Sequence, residues 1–244
     1  PEEVSAVGAQ QHRWAKGTVQ TARKLLKRVW SADLSLGQRI EAVFHMTPHF
    51  AYPLLVLLSL LLLPALVLMP AASNLTMVIV DLPLLTATTG SLAAFYMEAE
   101  RAQGRPRLAA LAKLPLLIAL GTGLAPHLTL AVRDGLRSMA GEFVRTPKQG
   151  SNAARYKARA DLPIVEVALA LWSFAAAVAS IQTGHWFATP FATLFTIGYG
   201  YVAVLVASEQ AERRRAALSA GNLLDRPSDA PLAAAEAESD AQAA

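Results

Sequence analysis

The sequence predicts an all-α membrane protein with an interfacial amphipathic helix, four transmembrane helices and one re-entrant or interfacial helix. Of the 244 residues, 54% are hydrophobic and 16% are charged, whereas a soluble domain usually carries about 25% charged residues. The apolar residues lie in long runs, and the mean hydropathy is +0.35. Basic residues flank these runs, as in membrane proteins, so we expect no nucleic-acid partner. The absence of cysteine excludes disulfides and a thiol nucleophile.

Four apolar segments are long enough to cross a bilayer, whose hydrocarbon core of about 30 Å needs about 20 helical residues. We place these spans at about 50–70, 77–97, 163–183 and 187–208. Asp81 and Glu166 lie in or near spans, where a charge is costly and often functional. They either line a polar path with the hydroxyls of the second span or reach the membrane surface from the span ends. The hydroxyl residues concerned are Thr86, Thr88, Thr89 and Ser91.

A fifth apolar stretch, at about 108–132, is interrupted by Lys113, two glycines and Pro126. The distribution of basic residues decides whether it crosses. The segment 133–161 carries seven Lys and Arg, and it would lie outside if the stretch crossed. We therefore predict a re-entrant or interfacial helix, with every basic segment and both chain ends on the cytoplasmic side. The predicted location is the inner (cytoplasmic) membrane.

The two ends of the chain differ from the middle in composition. Residues 1–45 are polar and basic, and Trp14 and Trp30 are among the apolar residues that gather towards one side of a helix. Such a helix either lies in the headgroup plane or packs against a domain upstream. Because the chain begins at Pro1, we expect such an upstream domain. Residues 209–244 are rich in Arg and then in Ala, Glu, Asp and Ser, which predicts a disordered cytoplasmic tail.

The string Gln10-Gln11-His12-Arg13-Trp14 fits the pattern Q-x-x-R-W. Together with the basic residues that follow, it resembles the membrane-embedded processive family 2 glycosyltransferases, such as cellulose synthases. In that family the motif closes a cytoplasmic catalytic domain and opens an interfacial helix that leads into the spans. The resemblance implies that Arg13 and Gln10 hold the nucleotide diphosphate and that Trp14 faces the acceptor sugar. It assigns 1–45 to the end of that domain and 46–208 to a transmembrane channel.

A second string, Phe143-Val144-Arg145-Thr146-Pro147-Lys148, resembles the F-x-V-T-x-K gating loop of cellulose synthases, with Arg145 where the pattern has valine. It falls within the basic segment at about 133–161. The resemblance implies that Phe143, Thr146 and Lys148 belong to a loop that closes over the nucleotide.

The family's metal-binding D-x-D and its general-base Asp lie upstream of Q-x-x-R-W, and this chain contains neither. The resemblance therefore implies that Mg or Mn is bound by the upstream domain and that this fragment holds no catalytic residue and no metal. Asp33, Glu41, Asp134 and Glu142 are isolated in the sequence, which favours solvated side chains. The histidines show no ligand spacing, so we predict no metal site.

By resemblance, the chain is the C-terminal part of a processive inverting glycosyltransferase. It would transfer a hexose from a nucleotide sugar, UDP-glucose or GDP-mannose, to a growing polysaccharide and lead the product across the bilayer. One alternative is a non-processive enzyme that forms a glycolipid. The other is a non-catalytic multi-pass transporter or scaffold protein.

Overall fold

The computed structural model describes residues 4–70, 73–139 and 163–224, which form helices with no strand among them. The predicted all-α fold class is therefore confirmed for these residues. The chain divides into two compact units, residues 1–206 and 207–244. The helices are α1 (Val4–Ser31), α2 (Leu36–Met46), α3 (Ala51–Leu68), α4 (Asn74–Thr76), α5 (Leu82–Ala102), α6 (Ala109–Gly123), α7 (Ala125–Arg137), α8 (Ile164–Gln182) and α9 (Thr189–Leu224). Short 3-10 helices at Pro48–Phe50 and Trp186–Ala188 precede α3 and α9, and a π-helix at Met77–Asp81 precedes α5.

Four helical segments in the described chain are long and apolar enough to cross a membrane. They are Pro48–Leu68, Val78–Ala102, Ile164–Gln182 and Trp186–Ala216. Each overlaps one of the four predicted spans, so the prediction of a membrane protein with four candidate transmembrane helices is confirmed. Their outward-facing leucines, valines and isoleucines are largely exposed, as expected of helices whose outer faces meet lipid tails.

The last helix continues beyond the predicted end of the fourth span at residue 208. It ends at Leu224, so residues 209–224 are helical in the structure, whereas the sequence predicted a disordered tail from residue 209. The reason is local, because this stretch is made largely of Glu, Gln, Ala, Arg and Leu, which favour helices. The remainder of the predicted tail, 225–244, lies outside the described residues.

The N-terminal segment forms two helices, whereas the sequence predicted one. α1 ends at Ser31, and α2 begins after Ser35, which caps it. The Gln38 backbone N–H donates to Ser35 Oγ at 3.4 Å, and the Ser35 backbone N–H donates to Gln38 Oε1 at 3.0 Å. This reciprocal capping box satisfies two amide donors at the start of α2. The capping sequence was visible in the chain, and it explains the break.

The interrupted fifth stretch forms α6 and α7, which meet at a bend of 49° next to Leu124. Glycines precede the bend, and Pro126 occupies the first turn of α7, where its missing N–H costs no hydrogen bond. The pair is therefore either a broken span or a re-entrant hairpin.

Helix α7 contacts neighbouring helices on two sides. α1 packs along it, and α1 and α7 are joined to α9 by a buried apolar cluster of Ala15, Leu124, Leu128, Ala131 and Val202. α3, α8 and α9 share two further apolar clusters. Between these helices, Ser59 Oγ and the Tyr199 hydroxyl are hydrogen-bonded at 3.0 Å. A hydroxyl pair of this kind satisfies both polar groups within an apolar environment.

The closest approach of backbones occurs where the bend meets α9. A Cβ added at Gly123 would collide with the carbonyl oxygen of Gly198, and one at Gly198 would lie 2.8 Å from Thr122 Cβ. Glycine is thus required at this crossing. Gly90 lies among alanines in α5, a composition that favours close packing of helices, but an added Cβ there would meet nothing within 4 Å in the described residues.

Candidate functional site

The three motif residues lie on one face of α1. Gln10, Arg13 and Trp14 are spaced i, i+3 and i+4, which places their side chains next to one another on a helix. Trp14 is 57% exposed, and Gln10 and Arg13 are half-buried. The fully buried residues Ala15 and Val19 face α7 instead, on roughly the opposite side at about 100° per residue. The motif face is therefore roughly opposite the side of α1 that packs on α7, and Trp14 is its most exposed residue.

His12, within the same motif, faces α7. Its Nε2 lies 3.5 Å from Asp134 Oδ2, and its ring centre lies 5.1 Å from that of His127. Burial first, and then the nearby His127, Lys16 and Arg13, lower the pKa of His12 to about 4, although Asp134 acts in the opposite direction. At neutral pH the imidazole is therefore uncharged, and its contact with Asp134 is not an ion pair.

This cluster corrects two sequence-based interpretations. Asp134 was expected to be an isolated, solvated carboxylate, and His127 a histidine without a neighbour. The structure places both beside His12, because α1 and α7 pack side by side although they are far apart in the chain. Asp33 and Glu41 are exposed, as expected of solvated carboxylates. Glu142 lies outside the described residues.

Side chains of α1 also bind the C-terminal end of α7. The Arg23 guanidinium donates to the carbonyl of Gly135 at 2.9 Å, and the Gln20 amide donates to that of Ser138 at 2.8 Å. The last carbonyls of a helix lack partners within the helix, and a cation there also interacts favourably with the helix dipole. α1 thus fixes the point at which α7 leads into the basic segment. Phe143, Thr146 and Lys148 lie outside the described residues, so their assignment stays a prediction.

An ion pair joins the end of α5 to α6. Lys113 Nζ lies 2.7 Å from Glu100 Oε1, and Arg105 Nη1 lies 3.7 Å from Glu100 Oε2. Glu100 is 9% exposed, whereas the side chain of Lys113 is half exposed. This partner explains why a lysine occurs in an otherwise apolar stretch.

Charge reversal at this pair tests its contribution. Replacing Lys113 with Glu should lower the melting temperature of the purified protein, because two carboxylates would then face each other at the same point. The exchange Glu100→Lys with Lys113→Glu should largely restore it. Arg101→Glu is the control, because Arg101 and Glu98 form an exposed pair, and such pairs contribute about 0–1 kcal/mol. A melting temperature insensitive to Lys113→Glu would show that the pair is not structural.

The hydroxyls of the second span do not enclose a path within the described residues. Thr86 and Thr88 donate to carbonyls of their own helix, at 2.8 Å in each case, and both side chains are exposed. Ser91 likewise donates to the Thr88 carbonyl at 3.0 Å. An open groove of about 560 Å³ lies beside Trp186, Thr193 and Ile197, and its lining carries no charged side chain. It is therefore not suited to a nucleotide diphosphate.

No group of three or more metal-ligating side chains that could hold a metal ion occurs in residues 4–70, 73–139 and 163–224. His12, His127 and Asp134 are not such a group. The assignment of Mg or Mn to an upstream domain, which the resemblance implies, stays a prediction.

With this geometry in view, we compared the chain with known proteins. No family model, no curated protein and no solved structure matches it. The fold defines a class, a membrane protein with four candidate transmembrane helices and a bent helix pair. Any more specific function has to be argued from the residues of α1 and their surroundings.

Proposed function

We propose that the chain is the membrane-channel and acceptor-binding part of a processive inverting family 2 glycosyltransferase. Its substrates would be a nucleotide sugar, UDP-glucose or GDP-mannose, and a growing polysaccharide. The observation that carries the proposal is the placement of Gln10, Arg13 and Trp14 on one face of a helix that precedes the first span, roughly opposite the side that packs on α7. A catalytic domain upstream would occupy that face.

The chemistry of the three side chains suits glycosyl transfer. When the sugar leaves its nucleotide, negative charge develops on the diphosphate. A guanidinium binds phosphate oxygens through two parallel hydrogen bonds, so Arg13 would stabilise this charge, and the Gln10 amide would add a neutral donor. Trp14 offers a flat aromatic face to the apolar side of an acceptor sugar, and its 57% exposure leaves that face accessible. Thr146 and Lys148 would close over the nucleotide from the basic segment and exclude water.

The packing of α1 supports a re-entrant arrangement for α6 and α7. If α3 and α5 each cross the membrane, α6 begins on the same side as α1. α7 ends on that side too, because Gln20 and Arg23 of α1 bind its last carbonyls. A segment that starts and ends on one side does not cross. A bend of 49° next to Leu124 is found in broken spans and in re-entrant loops alike, so the support comes from the contacts of α1 with the end of α7.

This topology predicts that residues 133–161 are cytoplasmic. They carry seven Lys and Arg against three acidic residues, and such an excess stays inside. Because the chain has no cysteine, single cysteines at Ser138 and Ser151 can be tested directly. Both should resist a membrane-impermeant thiol reagent on intact cells and react after permeabilisation. Labelling of both from outside would show that 108–132 crosses, and the gating-loop assignment would fail with it.

The proposed activity is tested in inverted membrane vesicles that contain the full-length protein and labelled UDP-glucose or GDP-mannose. Incorporation of label into a long polymer supports a processive enzyme. A lipid carrying a single sugar would support the glycolipid-forming alternative. No incorporation from either donor by correctly inserted protein would favour a transporter or scaffold protein.

A further inference from the structure

The interface between α1 and α7 consists largely of small residues. Gly8 and Ala15 lie on α1, and Ala131 and Gly135 on α7, with both alanines fully buried. A Cβ added at Gly135 would lie 2.9 Å from the Val19 side chain, so the helices are in close contact. Small residues allow such a close approach. Their short side chains interdigitate little, however, so they do little to fix the rotation of α1 about its own axis.

Besides the contacts of Gln20 and Arg23 with the end of α7, one polar cluster near the middle of the interface breaks this uniformity. His12 of α1 lies against His127 and Asp134 of α7, at 5.1 Å between ring centres and 3.5 Å between Nε2 and Oδ2. Arg133 Nη2 lies 3.3 Å from the other carboxylate oxygen of Asp134. Gly8 lies next to the second imidazole, and a Cβ added there would come to 3.7 Å from the His127 ring, an ordinary contact distance. The cluster therefore joins one turn of α1 to two turns of α7.

We infer that His12, His127 and Asp134 form a positioning site that fixes the rotation of α1 and thereby the direction of Gln10, Arg13 and Trp14. The inference rests on the proposed function, because it concerns how the motif is presented. His12 directly precedes Arg13, and neighbouring residues point about 100° apart on a helix. A rotation by one residue would turn the guanidinium towards α7 and away from a substrate. His12, His127 and Asp134 are half-buried among small residues, and polar groups in such a setting are well suited to fix a register.

The charges around His12 make this arrangement sensitive to acid. From α7 it faces His127 and Asp134, and from its own helix Arg13 and Lys16. On α3, Tyr52 packs against the neighbouring apolar cluster that contains Ala15 and Leu128 and stacks on His49 at 5.9 Å between ring centres; neither group is among those that shift the pKa of His12. The pKa of His12 is about 4 in the folded protein, against 6.5 for an unperturbed histidine. The packed arrangement is therefore fully stable above about pH 6.5 and loses stability as the pH falls towards 4.

The distance between two spin labels, one on α1 and one on α7, tests the positioning site without any enzyme assay. Spin labels are attached to Thr21→Cys on α1 and Leu130→Cys on α7, both exposed positions, in a chain that has no cysteine of its own. At pH 7.5 the distance distribution should be narrow, and it should broaden or shift between pH 6.5 and 4. His12→Leu should broaden it already at pH 7.5. His185→Leu is the control, because this histidine contacts Thr183 near the end of α8. A distribution that His12→Leu leaves unchanged would overturn the inference.

A second readout separates positioning from a merely structural role. In the full-length enzyme, His12→Leu should lower kcat about tenfold or more, although the variant should insert into the membrane as well as the wild type does. The reason is that small misplacements of a reacting group are costly. His12→Gln, which keeps a donor for Asp134, should recover much of that loss. Equal loss in both variants would contradict the inference. A wild-type protein without activity, but with the expected distance changes, would refute the proposed function and leave the positioning of α1 intact.

Discussion

Replacing Arg13 with alanine should lower polymer synthesis per inserted molecule at least about a hundredfold in the full-length protein. The reason is the loss of a charge-assisted contact to the diphosphate, whose negative charge grows in the transition state. Each 1.4 kcal/mol of lost stabilisation is about a tenfold loss in rate. Arg13→Lys should already impair turnover, because a point charge does not reproduce a planar, bidentate guanidinium. Insertion into the membrane should be normal in both variants.

Substitutions at Trp14, on the same face of α1, should also impair polymer synthesis. Trp14→Ala should be severe and Trp14→Phe milder, because a smaller aromatic ring still stacks on a sugar. Arg28→Ala is a matched control, since Arg28 is an exposed basic residue near the end of the same helix. A role for Arg13 and Trp14 only as membrane anchors predicts the reverse, with poor insertion but near-normal activity in the protein that inserts. Near-wild-type synthesis by Arg13→Lys and Trp14→Ala would refute the site.

The second large effect is expected at the crossing of the bend with α9. Gly123→Val should destabilise the folded protein by about 3 kcal/mol, because the new side chain collides with the Gly198 backbone and helices must separate. The change should appear as a lower melting temperature in detergent and as less inserted protein. Gly200→Val is the control, because a Cβ there meets nothing within 4 Å. Equal stability of the two variants would show that α9 does not approach the bend as described.

The membrane-spanning elements could be predicted because each is recognisable by itself. A run such as Pro53 to Met69 is apolar over its whole length, and a helix in lipid satisfies its own backbone, so hydropathy and length suffice. The break between α6 and α7 was signalled by glycines and Pro126. The extension of α9 to Leu224 was missed because polarity was taken as disorder, although Glu, Ala and Arg also favour helices.

The contacts between segments could not be predicted in the same way. The pairing of Lys113 with Glu100 and the meeting of His12 with Asp134 depend on which helices pack together, and one sequence does not contain that information. Gly90 is the opposite case. A glycine among alanines in a span suggests close helix packing, but a Cβ added at Gly90 would meet nothing within 4 Å in the described residues. For the candidate site, helical spacing already placed Gln10, Arg13 and Trp14 on one face. That this face lies roughly opposite the side that packs on α7 follows only from the structure.

The most direct test of the proposed site is photolabelling of the full-length protein with an azido derivative of its nucleotide sugar, in vesicles. Cross-linked peptides are then identified by mass spectrometry. If α1 presents its motif to the donor and acceptor, the label should appear on the peptides that contain Gln10, Arg13 and Trp14, and excess unlabelled nucleotide should suppress it. Specific labelling elsewhere in the protein, with these peptides unmodified, would contradict the assignment of α1 as the substrate-binding helix.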